Sequence, residues 1–149
     1  MTRLARALRR RMQDGERGSA AIEAAVGVPA FLLIMGLVFA GGRVALAGQS
    51  VEAAATEAAR SASIARTQAE AEAGAVAAAR RSLDEKGLHC APQVAVNTNG
   101  FGNAVGVASS VSATVTCDVG VGDLAVPGLP GTIRIAKTMD SPIDTYRER

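Results

Sequence analysis

The 149-residue chain has no tryptophan, aromatic residues make up 3% of it, and it contains one histidine, His89. So few rings exclude a large ligand cavity lined by aromatic side chains. No glycine-rich phosphate loop follows a strand and no serine sits in a nucleophile elbow, so the usual sequence marks of catalysis are missing. Glu70 and Glu72 stand two apart on a predicted helix and point to different faces, which makes them solvated surface rather than an acid/base pair. Two cysteines, Cys90 and Cys117, are too few for a Cys-only zinc site, and adding His89 still leaves the set one ligand short. The chain is therefore read as non-enzymatic, with no catalytic residues, no metal and no cofactor.

Charge is also missing from one long stretch. Ala24 to Gly42, 19 residues, carries no ionisable side chain. As a helix this run is roughly 28 Å long at ~1.5 Å per residue, close to the ~30 Å hydrocarbon thickness of a bilayer. One membrane span is predicted, with Pro29 in its interior, where a kink or loosened hydrogen bonding is expected. Six arginines crowd residues 1–18 against Asp14 and Glu16, a net of +4, whereas residues 44–149 carry nine basic and eleven acidic side chains, a net of −2. Basic residues flanking a single span stay on the cytoplasmic side, so the N-terminus is expected inside and the C-terminal part outside. A nucleic-acid role for the arginine block is disfavoured, because the block abuts the span and the rest of the chain is slightly acidic.

Glu23 stands at the entrance to this run. A carboxylate carried to the bilayer centre costs ~2.5–3.5 kcal/mol on insertion scales, so its presence beside the span calls for a function.

The remaining sequence reads in four segments: a cytoplasmic leader (1–18), a transmembrane helix (19–42), an alanine-rich amphipathic helical stalk (43–87) and a β-rich extracytoplasmic domain (88–149). In the stalk Val44, Ala47, Gly48, Val51, Ala55, Ala58, Ala62 and Ala65 share one face, opposite Arg43, Glu52, Glu57 and Arg60. The pattern weakens near Arg66–Gln68. A second helix is expected from about Gln68 to Lys86, capped by Gly87, with one bent helix as the alternative. Beyond Gly87 the period becomes two. Cys90, Val94 and Val96 alternate with polar neighbours, a turn-rich stretch Asn97–Asn103 intervenes, and Val111, Ala113, Val115, Cys117, Val119 and Val121 alternate again. An antiparallel hairpin with Cys90 opposite Cys117 would set Val94 against Ala113 and Val96 against Val111, so a disulfide and the apolar face agree in register. Two unpaired buried thiols are the alternative. A turn at Val126–Gly131 leads to a third strand, Thr132 to about Met139, and a polar tail, Asp140–Arg149. The fold class is α+β: a long N-terminal helix carrying a small antiparallel sheet of about three strands.

The junction between leader and span carries the strongest motif. Gly18 precedes the small residue Ser19, and Glu23 is the fifth residue counted from Ser19, followed by the apolar helix. This arrangement resembles the class III signal of type IV pilins and pseudopilins. In that family a membrane aspartyl peptidase cuts after the glycine, and the fifth mature residue is a glutamate. The arginine-rich leader, the run Gly18–Ala25, Pro29 six residues after Glu23, Arg43, the segment Ala58–Arg60 and the β-rich C-terminal third together resemble the TadE family, minor pseudopilins of tight-adherence (Flp) pili. Ala24, where short major Flp pilins usually have tyrosine, and the large outer domain fit a minor subunit. The resemblance implies cleavage between Gly18 and Ser19 and pairing of Glu23 with a new N-terminal amine. It also implies partners: a prepilin peptidase, other pilin or pseudopilin subunits, an inner-membrane pilus assembly platform and membrane lipid. The expected location is the cytoplasmic membrane, with incorporation into a surface pilus used in adhesion or secretion.

Two other readings stay open on the residues themselves. Glu23 could snorkel from an ordinary signal anchor bearing a binding domain. Ala45-Leu46-Ala47 matches a small-x-small signal-peptidase site, whose use would release a secreted domain starting at Gly48; the length of the apolar run and the intrusion of Arg43 argue against it.

Overall fold

The computed structural model describes residues 2–122, 128 and 130–146, with side chains described from Ala20 onward. They divide into two compact units, Met1–Phe39 and Ala40–Arg149. One helix, α1 (Thr2–Ile64), contributes to both and continues through Pro29.

In the first unit, the described side chains of α1 are apolar apart from Glu23, and most are uncovered. Ile22, Val26, Phe31, Leu32, Ile34, Val38 and Phe39 are all exposed, and only 6% of the most apolar 18-residue window is buried within the chain. An apolar helix surface of this extent is stable when something covers it, and the described residues do not.

The second unit holds the core. From Ala47 to Ser63, α1 buries one stripe, Ala47, Val51, Ala54, Ala55, Ala58, Ala59 and Ala62, at the i, i+3, i+4, i+7 spacing of a helix face. Helix α2 (Gln68–Glu85) follows after three residues and buries Ala71, Ala75, Ala78, Ala79, Ser82 and Leu83. Alanine faces bring helices and sheet close together, and Leu83 is among the largest fully buried side chains.

The break between the helices has a local cause. Thr67 is extended and its side chain accepts a hydrogen bond from the Glu70 N–H at 3.2 Å, while the Glu70 carboxylate accepts one from the Arg66 N–H at 3.1 Å. Thr-x-x-Glu here satisfies orphan donors in the manner of a capping box. At the other end Gly87 takes φ +67°, a conformation that suits glycine just past a helix, and the Leu88 N–H returns to the Leu83 carbonyl at 2.9 Å.

Three strands complete the unit: β1 (Gln93–Asn97), β2 (Ser109–Gly120) and β3 (Thr132–Ile143), antiparallel in the order β1-β2-β3. One face of the sheet packs on the helices through Val111, Ala113, Val115, Cys117, Val119 and Ile143, with Val94, Val96, Ile135 and Met139 at its margins. The opposite face is polar. There Thr114 and Thr138 share a 2.7 Å hydrogen bond, and Arg134 grips Asp118 through two hydrogen bonds of 2.9 and 3.2 Å.

Two expectations need correction. The β1–β2 register sets Val94 against Val115 and Val96 against Ala113, displaced by two residues from the hairpin drawn around a Cys90/Cys117 pair. Pro92 and the coil before it keep Cys90 out of the strand, so the bridging cysteine reaches β2 diagonally. An even displacement leaves every side chain on its expected face. Second, β3 does not stop near Met139. It runs to Ile143, and its last inward positions, Ser141 and Ile143, are buried. Half of the turn expected at Val126–Gly131, residues 126, 127 and 129, lies outside the described residues.

Candidate processing and assembly site

Gly18 and Ser19 fall on backbone that belongs to α1, with side chains outside the described residues. Glu23 lies on the same helix, and its side chain is exposed. Four residues of α-helix separate Ser19 from Glu23 by ~6 Å along the axis and place them on one face. An amine created at Ser19 by cleavage would therefore stand beside a carboxylate on its own helix or on a neighbouring one. In a low-dielectric setting a cation and a carboxylate at that spacing attract far more strongly than in water. What the segment offers is a carboxylate among uncovered apolar side chains, from Ile22 to Phe39.

The cysteines are brought together. Cys90, in the coil between α2 and β1, is joined to Cys117 of β2 by a disulfide, with the Cα atoms 6.0 Å apart, inside the range such bridges span. Cys117 is buried beneath the helices. The bridge fixes the coil that α2 hands on to the sheet. A bridge of this kind persists in oxidising compartments, which points to an extracytoplasmic location for this unit.

Asp118 and Arg134, opposite each other on β2 and β3, form the best-defined charge pair. Hydrogen bonding by the guanidinium, with its positive charge adding to the effect, holds the Asp118 carboxyl below its ordinary value, and the same bond raises Arg134. Lys137 reaches Glu52 on α1 at 3.5 Å. Both pairs are exposed and read as structural.

Sequence reasoning did not identify Thr67 and Glu70 as the cap that separates the helices, although the Thr-x-x-Glu spacing was available. It also did not bring Arg43 together with Lys86 and His89, which line one cavity in the second unit. Only the fold makes that meeting.

Residues 18–60 match the model of a family described as TadE-like protein. The matched segment starts at the glycine of the Gly18–Ser19 junction, takes in Glu23 and the whole uncharged run, and ends on Arg60. Over these residues, less than a third of the sequence, the chain is similar to TadE-like proteins. No curated protein and no solved structure matches the chain.

Proposed function

We infer that this protein is a minor pseudopilin of a tight-adherence, Flp or type IVb-like pilus system, cut by a prepilin peptidase between Gly18 and Ser19. The observation that carries the reading is the TadE-like match beginning at Gly18, on a helix whose apolar side chains the chain itself leaves uncovered. The arginine leader holds the N-terminus in the cytoplasm, and cleavage removes that handle. The new Ser19 amine then pairs with Glu23 of its own or an adjacent subunit, which aligns the membrane helices for extraction into a filament. Residues beyond Arg43 lie outside the cytoplasm, where the disulfide is stable. The partners are other pilin or pseudopilin subunits and the inner-membrane assembly platform, and the pilus serves adhesion or secretion.

Glu23→Ala tests the role of the carboxylate. Membrane insertion and cleavage are expected to persist, while the amount of this chain recovered in sheared pili falls sharply. Unchanged recovery would remove the proposed pairing.

A further inference from the structure

A groove of about 720 Å³ runs between α2 and β1, wholly within the second unit. Glu72, Val76 and Arg80 form one i, i+4 row of α2 along it, and Val94, Ala95 and Val96 of β1 line the other side; two alanines of α2 complete its described lining. β1 is the edge of the sheet. It pairs with β2 on one side, so its other side offers alternate N–H and C=O groups to a further strand. The two edges of the sheet differ. On β3 the inward series Ile133, Ile135, Lys137, Met139 includes a lysine, which reaches Glu52 of α1 at 3.5 Å, and Pro142 lies near the end of the strand. An inward charge and a proline are devices that keep a strand edge from pairing with another chain. Gln93 to Asn97 carries neither, so β1 is the receptive edge.

The two charges in the groove describe its occupant. Arg80 also lines the small cavity beside Cys90 and Pro92, which precede β1, so α2 runs opposite to β1, with Arg80 at the Gln93 end and Glu72 at the Asn97 end. Eight residues of helix separate the two charges, ~12 Å along the axis. Four residues of an extended strand cover ~13 Å, and alternate side chains of that strand share one face. We propose that β1 accepts an extended segment of a partner protein as an added antiparallel strand, with a basic residue opposite Glu72, an apolar residue two places on over Val76, and an acidic residue two places further opposite Arg80. Backbone hydrogen bonds along β1 hold the segment, and the ordered pair of charges sets its direction. None of the described strands of this chain carries that order of residues, which favours a different protein over a second copy. The surface belongs to the second unit alone, and the assignment is independent of cleavage at Gly18.

The test uses the full chain in detergent micelles and two end-capped synthetic peptides, Thr-Arg-Thr-Leu-Thr-Glu-Thr and its charge-reversed form Thr-Glu-Thr-Leu-Thr-Arg-Thr. Amide NMR of β1 is expected to show saturable binding of the first, with hydrogen exchange slowed at alternate residues from Gln93 to Asn97, the mark of an added strand. The second should bind about tenfold more weakly, because two exposed charge pairs change from attraction to repulsion. In Glu72→Arg/Arg80→Glu, two positions that are exposed, the preference should invert. Equal affinity for the two peptides, binding without alternate protection, or no binding overturns the assignment. Protection of β1 that grows with chain concentration and needs no peptide would make a second copy the occupant and overturn it as well. Should the double variant fail to fold, the two peptides on the wild-type chain still decide.

Discussion

Ser141 on β3 donates a 3.0 Å hydrogen bond to Ser63 on α1, a buried contact between residues 78 apart in sequence. Ser63 in turn donates to the Arg60 carbonyl at 2.9 Å, so two hydroxyls are satisfied in series where the end of α1 meets the end of the sheet. Each is less than a tenth exposed, and a buried hydroxyl without a partner is costly. Ser141→Ala removes one bond and leaves Ser63 its carbonyl acceptor. The expected cost is about 1 kcal/mol, read as a lowered denaturation midpoint of the full chain in detergent with an unchanged slope.

This contact explains the length of β3. Asp140 to Arg149 reads as a polar tail because Ser141 breaks the apolar alternation of Ile133 and Ile135. Alternation of burial nevertheless continues through it to Ile143. A serine can occupy a core position when a hydroxyl 78 residues away meets it, and nothing in local sequence announces that partner.

The Cys90–Cys117 bridge closes a loop across 27 residues of separation. Chain-entropy reasoning puts its contribution near ~3.5 kcal/mol. Thiol labelling of the exported protein under non-reducing conditions should find neither cysteine free, and Cys90→Ser/Cys117→Ser should lose stability on that scale. Labelling of both thiols in freshly isolated protein would show that the bridge does not form.

Gly100, in the 3₁₀ turn Asn99–Gly102 before β2, is buried. A Cβ added there would run into the Ser110 carbonyl oxygen and come within 3.1 Å of Ile143 Cδ1. Backbone on one side cannot yield as a side chain can. Gly100→Ala is expected to cost roughly 1–3 kcal/mol, while Gly102→Ala, with open space around its Cα, should be close to neutral. A denaturation series on both variants decides it.

Because Arg134 lowers the Asp118 pKa, the linkage has a definite sign. The pair's contribution is fully present above the ordinary aspartate value of about 3.9 and is lost as pH falls through the lower value of the folded state. An NMR titration of the Asp118 carboxyl should give a midpoint below that of an unpaired aspartate, and Arg134→Gln should return it upward. An unshifted midpoint in the wild-type chain would show that the bidentate geometry is not kept in solution.

Much of the fold is readable from residues alone. Alanine spacing marks the buried stripe of α1. Weak periodicity at Arg66–Gln68 and the glycine at 87 bound α2 to within a residue, and period-two alternation gives three strands. The hairpin register is not readable in the same way. Placing Cys90 opposite Cys117 satisfies both the bridge and the apolar pattern, yet Gln93 pairs with Thr116, because a diagonal disulfide preserves the same faces two residues away. At the N-terminal site the information lies almost entirely in sequence: the Gly18–Ser19 junction, the spacing to Glu23 and the uncharged run. Folding adds that the apolar side chains around Glu23 are left without cover by the described residues.

The most direct test of the central claim is the N-terminal sequence of the mature protein isolated from the cell envelope. A single species beginning Ser19-Ala20-Ala21-Ile22-Glu23 is expected. A mature chain beginning at Gly48, or one retaining the arginine leader from its start, would contradict it.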